Sequence, residues 1–142
     1  MMASRRKGRI LAFQALYAWD VAGTPLDELL DFAWLDEDKR AALDDEVRVF
    51  AGLMIAGTIG DINRIDESIR RRLEHWTFER LKRVELAILR ISVWSLLEQA
   101  DIPAQITIDE AIEIAKEFGS EDSYKFINGV LDGVWKAERK AD

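Results

Sequence analysis

Apolar residues recur at spacings of three and four along almost the whole chain, and no segment shows the alternating pattern of a half-buried strand. Only two prolines, Pro25 and Pro103, interrupt this pattern. This helical period narrows the possible folds more than any other property, because it leaves no strands from which to build a sheet. We therefore predict an all-α protein of about six to seven helices, packed as two small helical bundles.

Capping residues and glycines predict where these helices begin and end, because Ser, Thr and Asp accept hydrogen bonds from free amides at a helix start. The first expected helix covers 4–21 with Ser4 as its cap, and a short second helix is capped by Thr24 with Pro25 in first position. One long helical region follows, from 36–45 to 74, and then a helix over 78–98 that is capped by Thr77. A capping box from Thr107 to Glu110 opens the next helix, which Gly119 ends, and Ser120 caps the last helix.

The helix predicted over 78–98 is apolar around most of its circumference, so we expect it to be the central, most buried one. Gly52, Gly57 and Gly60 lie inside the long region before it and predict a kink or a close contact between helices. We expect two subdomains, residues 1–75 and 76–142, that share a face within one compact domain.

Charge is distributed unevenly along the chain. The net charge is −7, yet Arg5, Arg6, Lys7 and Arg9 fall within residues 4–9 with no acid among them. Removing these four charges leaves −11 for the remainder, so an acidic body carries a basic N-terminus. Arg5 and Arg9 are four residues apart and should share one helix face. Guanidinium groups match phosphate geometry, so this start predicts an anionic partner, although basic tails also occur for solubility alone.

Two further segments carry cations. One segment lies among acids, which favours a salt-bridged helix surface, and its cations are Arg70, Arg71, Arg72, Arg80, Lys82 and Arg83. Residues 118–132 place Lys125 and Phe126 near a helix start, where an aromatic ring and a cation suit a nucleotide. The spacing of Phe126 from Val130 and Leu131 instead favours a core position.

The sequence offers little for enzyme chemistry. The single histidine, His75, lies at a predicted helix end, so we interpret it as a surface residue or as a residue that interacts with the helix dipole. Asp44 and Asp45 are helical neighbours that diverge, so they are poor acid–base partners. The absence of cysteine excludes disulfides and zinc thiolate sites. We expect no catalytic residue, no metal and no cofactor, and the lack of a signal peptide or membrane span predicts a cytoplasmic protein.

Three blocks of the chain resemble the NusB family of transcription antitermination factors. SRRKGRILAFQALYAWD is similar to the family's Arg-rich start and ALY-W helix, and RVELAILRISVWSLL is similar to its central helix. IPAQITIDEAIEIAKEFGSEDSYKFINGVLD is similar to its C-terminal block. The blocks occur in the family's order, and the resemblance is weak only across residues 23–60.

The resemblance implies a two-subdomain helical fold that pairs with NusE, a small-subunit ribosomal protein. It also implies that the heterodimer binds boxA RNA and joins an RNA polymerase complex that suppresses termination, notably in ribosomal RNA operons. The residues implied for RNA are Arg5, Arg6, Lys7, Arg9, Asp122, Lys125 and Phe126, and those implied for NusE are Tyr17 and Glu85.

The sequence departs from many family members at Tyr124, where histidine is common, and at Asp109, where asparagine is common. A related module begins some RNA cytosine methyltransferases, but this chain leaves no room for a catalytic domain and reads as the stand-alone factor. A protein–protein adaptor with a solubilising basic tail is the alternative from another class. Some relatives self-associate, so a homodimer is also open.

Overall fold

The computed structural model describes residues 2–75 and 77–138, with side chains from residue 5 onward. Regular structure in these ranges is helical throughout, as predicted. The helices are α1 (Met2–Ala22), α2 (Leu26–Asp31), α3 (Glu37–Ala41), α4 (Asp45–Gly60), α5 (Ile62–Arg70), a 3₁₀ turn (Phe78–Arg80), α6 (Arg83–Glu98), α7 (Ala104–Phe118) and α8 (Ser123–Glu138).

Helix α6 forms the centre of the protein, as its apolar circumference predicted. Every residue from Glu85 to Leu96 is buried. The helix packs against α1, α4, α5, α7 and α8. A helix surrounded in this way has no solvent face, which explains why its sequence lacks the polar stripe of a surface helix.

The region predicted as one long helix from residues 36–45 to 74 is three helices. Asp44 Oδ1 accepts a hydrogen bond from the amide of Val47 at 2.9 Å, so α4 has its own N-terminal cap. Asp61 leaves the helical conformation at φ −110° and separates α4 from α5. Gly60 and Asp61 are both weak helix formers, which places the break there.

Several predicted caps are wrong. Helix α1 begins at Met2, before Ser4. The Thr24 amide donates to the Ala18 carbonyl, with Gly23 at φ +70°, so Thr24 closes α1, and Pro25 precedes α2. Thr77 leads only into the 3₁₀ turn, without a side-chain capping bond. Ser120 lies three residues before α8, which begins at Ser123.

Gly57 of α4 allows the closest approach between two helices of the core. A Cβ atom at this position would collide with the indole ring of Trp94 on α6. Trp94 is itself buried, so the ring has little room to move. The glycine therefore provides the close helix contact that the sequence predicted for this region.

Helix α1 packs against both α4 and α6, so it belongs to the contact between the two predicted halves. The division into residues 1–75 and 76–142 stays a prediction, and residues 1, 76 and 139–142 lie outside the described ranges. Within those ranges, no helix combines the length and the apolar character that a membrane crossing needs.

Candidate nucleic-acid interface

The basic start of α1 lies against α4. The guanidinium groups of Arg5 and Arg9 stack over the Phe50 ring, at 5.2 and 5.6 Å from its centroid. This arrangement confirms that the two arginines share one helix face. Gly8 makes it possible, because a Cβ there would lie 2.6 Å from the Phe50 ring. Phe50 is a site residue that the sequence pattern did not identify.

The four cations differ in what they can reach. Arg5, Arg6 and Lys7 are exposed, whereas Arg9 is only 7% exposed. Burial lowers the pKa of Arg9, and the nearby Glu110 carboxylate offsets part of this effect. Arg9 is thus placed to support the surface around it, while Lys7 and the Arg5 that stacks on Phe50 remain accessible to solvent.

Glu110 on α7 joins Arg6 and Arg9. Its carboxylate accepts from Arg6 Nη2 at 2.7 Å and Nε at 3.1 Å, and from Arg9 Nη1 at 3.4 Å. The hydrogen bond from Arg6 holds the pKa of Glu110 below its ordinary value, although burial opposes the shift. The same hydrogen bond raises the pKa of Arg6.

The capping box predicted from Thr107 to Glu110 is therefore wrong. Helix α7 begins earlier, at Ala104 directly after Pro103, so both residues lie inside the helix and are buried. Proline fixes its own φ and needs no amide partner, which allows the helix to start there. A Glu in this position is free to face α1 instead of a helix end.

The second predicted RNA group lies at the start of α8. Lys125 and Asp122 are both exposed and approach each other, with Nζ 3.7 Å from Oδ1. Lys116 and Lys125 lie near the Tyr124 ring, at 5.1 and 6.0 Å from its centroid. The start of α8 therefore carries an aromatic ring with two cations beside it.

Phe126 is half-buried. Its ring packs against the core and also lines a surface cavity of about 220 Å³ beside Lys82 and Ser120. The core position that its spacing favours is therefore only partly correct, because part of the ring faces the cavity.

Helix α7 separates the two predicted RNA groups. A surface cavity of about 250 Å³ lies between α1 and α7 and is lined by Arg6 and Lys116, together with the acids Glu113 and Glu117. Lys116 in turn reaches Tyr124 near the start of α8. A ligand that touches both groups must therefore cross the exposed face of α7.

The two residues implied for NusE line one cavity of about 210 Å³. Tyr17 is 39% exposed, which leaves much of its ring available to a partner. Glu85 is 9% exposed, and its carboxylate accepts a hydrogen bond from the Ser123 hydroxyl at 2.5 Å. Ser123 was not identified from the sequence, because its partner is remote along the chain.

His75 is exposed, in agreement with its interpretation as a surface residue. In the described ranges, no three His, Asp or Glu side chains are grouped so that they could hold a metal ion. The site consists of cations, aromatic rings and carboxylates, which are groups that can bind a ligand by ion pairing, stacking and hydrogen bonding.

A model of the NusB family matches residues 6–136. Transcription antitermination protein NusB from Treponema denticola is 52% identical over 134 residues, which is 94% of this chain and 97% of that protein. The corresponding protein of Treponema pallidum strain Nichols is 47% identical over 133 residues, covering 94% and 93%.

Solved structures agree with these sequence matches. NusB of T. maritima superimposes with a TM-score of 0.83 at 38% identity, covering 94% of this chain and 92% of that one. A crystal structure of the antitermination factors NusB and NusE in complex with dsRNA gives 0.85 at 29% identity, covering 96% and 99%. Because the family model spans nearly the whole chain and the relatives match at full length, the chain belongs to the NusB family.

Proposed function

We propose that this chain is a transcription antitermination factor that binds boxA-type RNA together with NusE. In this role it joins the RNA polymerase complex that suppresses termination, notably in ribosomal RNA operons. The observation that carries the proposal is the placement of the cations in an acidic protein. Arg5 and Lys7 at the start of α1 and Lys125 at the start of α8 are exposed, although the net charge is −7.

The electrostatics favour weak binding of RNA by the chain alone. Single-stranded RNA is attracted to exposed cations, and each phosphate neutralised contributes about 0.7 to the salt slope. Glu110 already pairs with Arg6 and Arg9, so fewer than four charges of the N-terminal cluster are free for phosphates. A second protein that adds cations next to this surface would raise the affinity.

The proposed NusE surface is the cavity lined by Tyr17 and Glu85. An exposed tyrosine next to a buried, hydrogen-bonded carboxylate is a suitable anchor, because aromatic side chains dominate the energetics of protein interfaces. The structurally similar NusB was crystallised with NusE and dsRNA, which supports both partners for this chain.

A role in binding, without catalysis, is part of the same proposal, as is location in the cytoplasm where transcription occurs. Membership of a family of antitermination proteins supports both statements. The residues that line the site offer phosphate binding, stacking and ion pairing, and the proposal needs no cofactor.

Gel-shift titrations of a single-stranded boxA RNA, with and without NusE, test this function. We expect weak binding by the chain alone and coupling of about 1–3 kcal/mol when NusE is present. By linkage, RNA must tighten NusE binding by the same factor. A scrambled RNA of equal length is the control. Titration with a duplex of the same sequence tests whether binding requires single-stranded RNA.

Equal NusE affinity with and without RNA, together with no RNA shift, would support a protein–protein adaptor instead. Size-exclusion chromatography of the chain alone reports whether it forms a homodimer. If a homodimer forms and dissociates when NusE is added, the homodimer and the NusE heterodimer use overlapping surfaces of the chain.

A further inference from the structure

The cavity beside Phe126 is lined by Arg80 and Lys82, two cations outside the predicted RNA groups, and Lys82 also lines the cavity of Tyr17 and Glu85. The cavity, about 220 Å³, is lined by Arg80, Lys82, Glu85, Ser120, Asp122 and Phe126, with Leu81 and Ser123. We call it the Phe126 cavity.

Three of the six cations of the second basic run are ion-paired, so the salt-bridged surface that the sequence predicted is present in part. Arg71 pairs with Glu67, Arg83 with Asp20, and Arg70 approaches Glu79. Arg80 and Lys82 differ. Among the residues that the structure describes, neither lies within ion-pairing distance of a carboxylate.

Arg80 and Lys82 flank Leu81 in the segment between the 3₁₀ turn and α6. Leu81 and Lys82 have φ −64° with ψ values of 140° and 139°, which is the polyproline II conformation. Both cations line the Phe126 cavity. Leu81 is buried in the core, whereas both cations are exposed.

Lys82 is held in place without being neutralised. Its Nζ donates to the Ser120 hydroxyl at 2.8 Å. An ammonium group has three donors, so two remain for a ligand. Ser120 also contacts the Ser123 hydroxyl at 2.9 Å, which links the position of Lys82 to the start of α8.

Each of the two carboxylates of the cavity has a partner. Glu85 accepts from Ser123, and the exposed Asp122 lies 3.7 Å from Lys125. The groups suited to a phosphate and a base are the two cations and the open part of the Phe126 ring. Cations with an aromatic wall match a phosphate joined to a base, because the ring stacks on the base while the cations hold the phosphate.

We propose that the Phe126 cavity binds one nucleotide of the RNA, with its phosphate at Arg80 and Lys82 and its base against Phe126. This inference rests on the proposed function and extends the interface to two residues outside the N-terminal cluster and the α8 start. RNA is favoured over an acidic protein side chain because a carboxylate would use the cations but leave the aromatic wall unoccupied. Asp122 and Phe126 of the cavity are close to Lys125 in the sequence, so the RNA strand that enters the cavity would also pass a third cation.

The test compares the full-length chain with an Arg80→Gln, Lys82→Gln double variant, in the presence of NusE. Its matched control is Lys39→Gln with Arg40→Gln, which removes one lysine and one arginine from the exposed helix α3, outside the cavity. We expect the double variant to bind boxA RNA about tenfold more weakly. Its salt slope should fall by about 0.7–1.4, corresponding to one or two phosphates, while the control changes little.

A second measurement identifies the phosphate. Each linkage of the RNA is replaced in turn by a neutral methylphosphonate, and affinity is measured with the wild-type chain and the double variant. Replacement of one particular linkage should weaken RNA binding by the wild-type chain but have little further effect on RNA binding by the double variant. The reason is that the replacement and the double substitution remove the same contact. Circular dichroism checks that the variant is folded.

The outcomes separate this inference from the function beneath it. If the wild-type chain with NusE fails to bind boxA RNA, the proposed function itself is wrong. If the wild-type chain binds and the double variant binds equally well with an unchanged salt slope, only the cavity assignment is overturned. The assignment is also overturned if the double variant loses NusE affinity in the absence of RNA and every methylphosphonate replacement weakens RNA binding equally for the variant and the wild-type chain. The cavity would then be part of the protein interface.

Discussion

Glu110 and Arg6 form a two-point ion pair that joins α7 to α1, with Arg6 Nη2 and Nε at 2.7 and 3.1 Å from the carboxylate oxygens. Arg9, which is buried, approaches the same carboxylate at 3.4 Å. One acid therefore positions two of the four cations of the N-terminal cluster. Removing it would leave the Arg9 guanidinium buried without a carboxylate at this position.

We predict that Glu110→Gln lowers the free energy of unfolding at pH 7 by about 1–3 kcal/mol, since a buried charged donor loses its partner. The pKa of Glu110 is depressed in the folded chain, so its stabilisation is complete above the ordinary value of about 4.3 and is lost as pH falls through the folded value. Denaturant unfolding of both proteins between pH 7 and 3 should show the difference shrink only below about pH 4.

Glu113→Gln is the matched control, because Glu113 lies on the same helix with its side chain half exposed and pairs with Lys116 at the surface. Its effect on stability should be within about 0.5 kcal/mol at every pH. A Glu110→Gln variant as stable as wild type at pH 7 would show that the pair contributes nothing to folding.

The exposed and buried members of the cluster should separate in RNA binding. We predict that Arg5→Ala with Lys7→Ala reduces the salt slope by up to about 1.4, corresponding to two phosphates. Arg9→Ala should change the slope less and lower the melting temperature more, because Arg9 is buried against Glu110 and Phe50. Dissociation constants for boxA RNA over a series of salt concentrations provide the measurement. Equal slopes for the double variant and the wild-type chain would exclude Arg5 and Lys7 from the interface.

The packing of Gly57 against Trp94 gives a prediction about stability alone. Gly57→Ala should destabilise the protein by about 1–3 kcal/mol, because the added methyl group overlaps a buried ring. Gly60→Ala at the end of the same helix is the control, since a Cβ there meets nothing within 4 Å. Thermal unfolding should show a lower midpoint only for the first variant. A neutral Gly57→Ala would mean that the indole ring moves aside at little cost.

The parts of this fold that were predictable depend on local periodicity. The apolar circumference of α6 identifies the central helix, and the four-residue spacing of Arg5 and Arg9 places them on one face. The Glu110 pair joins residues 104 positions apart, and no local pattern reveals such a contact. Thr107 and Glu110 have the spacing of a capping box, but Pro103 starts the helix earlier, and that competition decides what Glu110 faces.

The candidate site shows the same limit. Composition identifies a basic start on an acidic chain, yet only packing shows that Arg9 is buried whereas Arg5 is exposed. Arg80 and Lys82 resemble Arg71 and Arg83 in the sequence, and only the structure shows that Arg71 and Arg83 have carboxylate partners while Arg80 and Lys82 line a cavity. Side-chain direction at a break between helices is set by the elements packed on either side.

Phe126 is the residue for which stability and RNA binding must be measured together. Its ring is half-buried, packing on the core and lining the cavity beside Lys82. A lost stacking contact costs about 1–3 kcal/mol of binding, whereas truncation of a core phenylalanine costs about 3–5 kcal/mol of folding stability. We therefore predict that Phe126→Ala weakens RNA binding roughly ten- to a hundred-fold while lowering the melting temperature only slightly.

Phe13→Ala provides the comparison, because Phe13 is fully in the core and its ring lies 5.2 Å from that of Phe118. That variant should unfold easily and, where folded, bind RNA normally. Melting curves and RNA titrations of both variants distinguish the two roles, since each role predicts a loss in a different measurement. If Phe126→Ala behaves like Phe13→Ala, then Phe126 is a core residue, and the base in the cavity must be held by the cations without stacking.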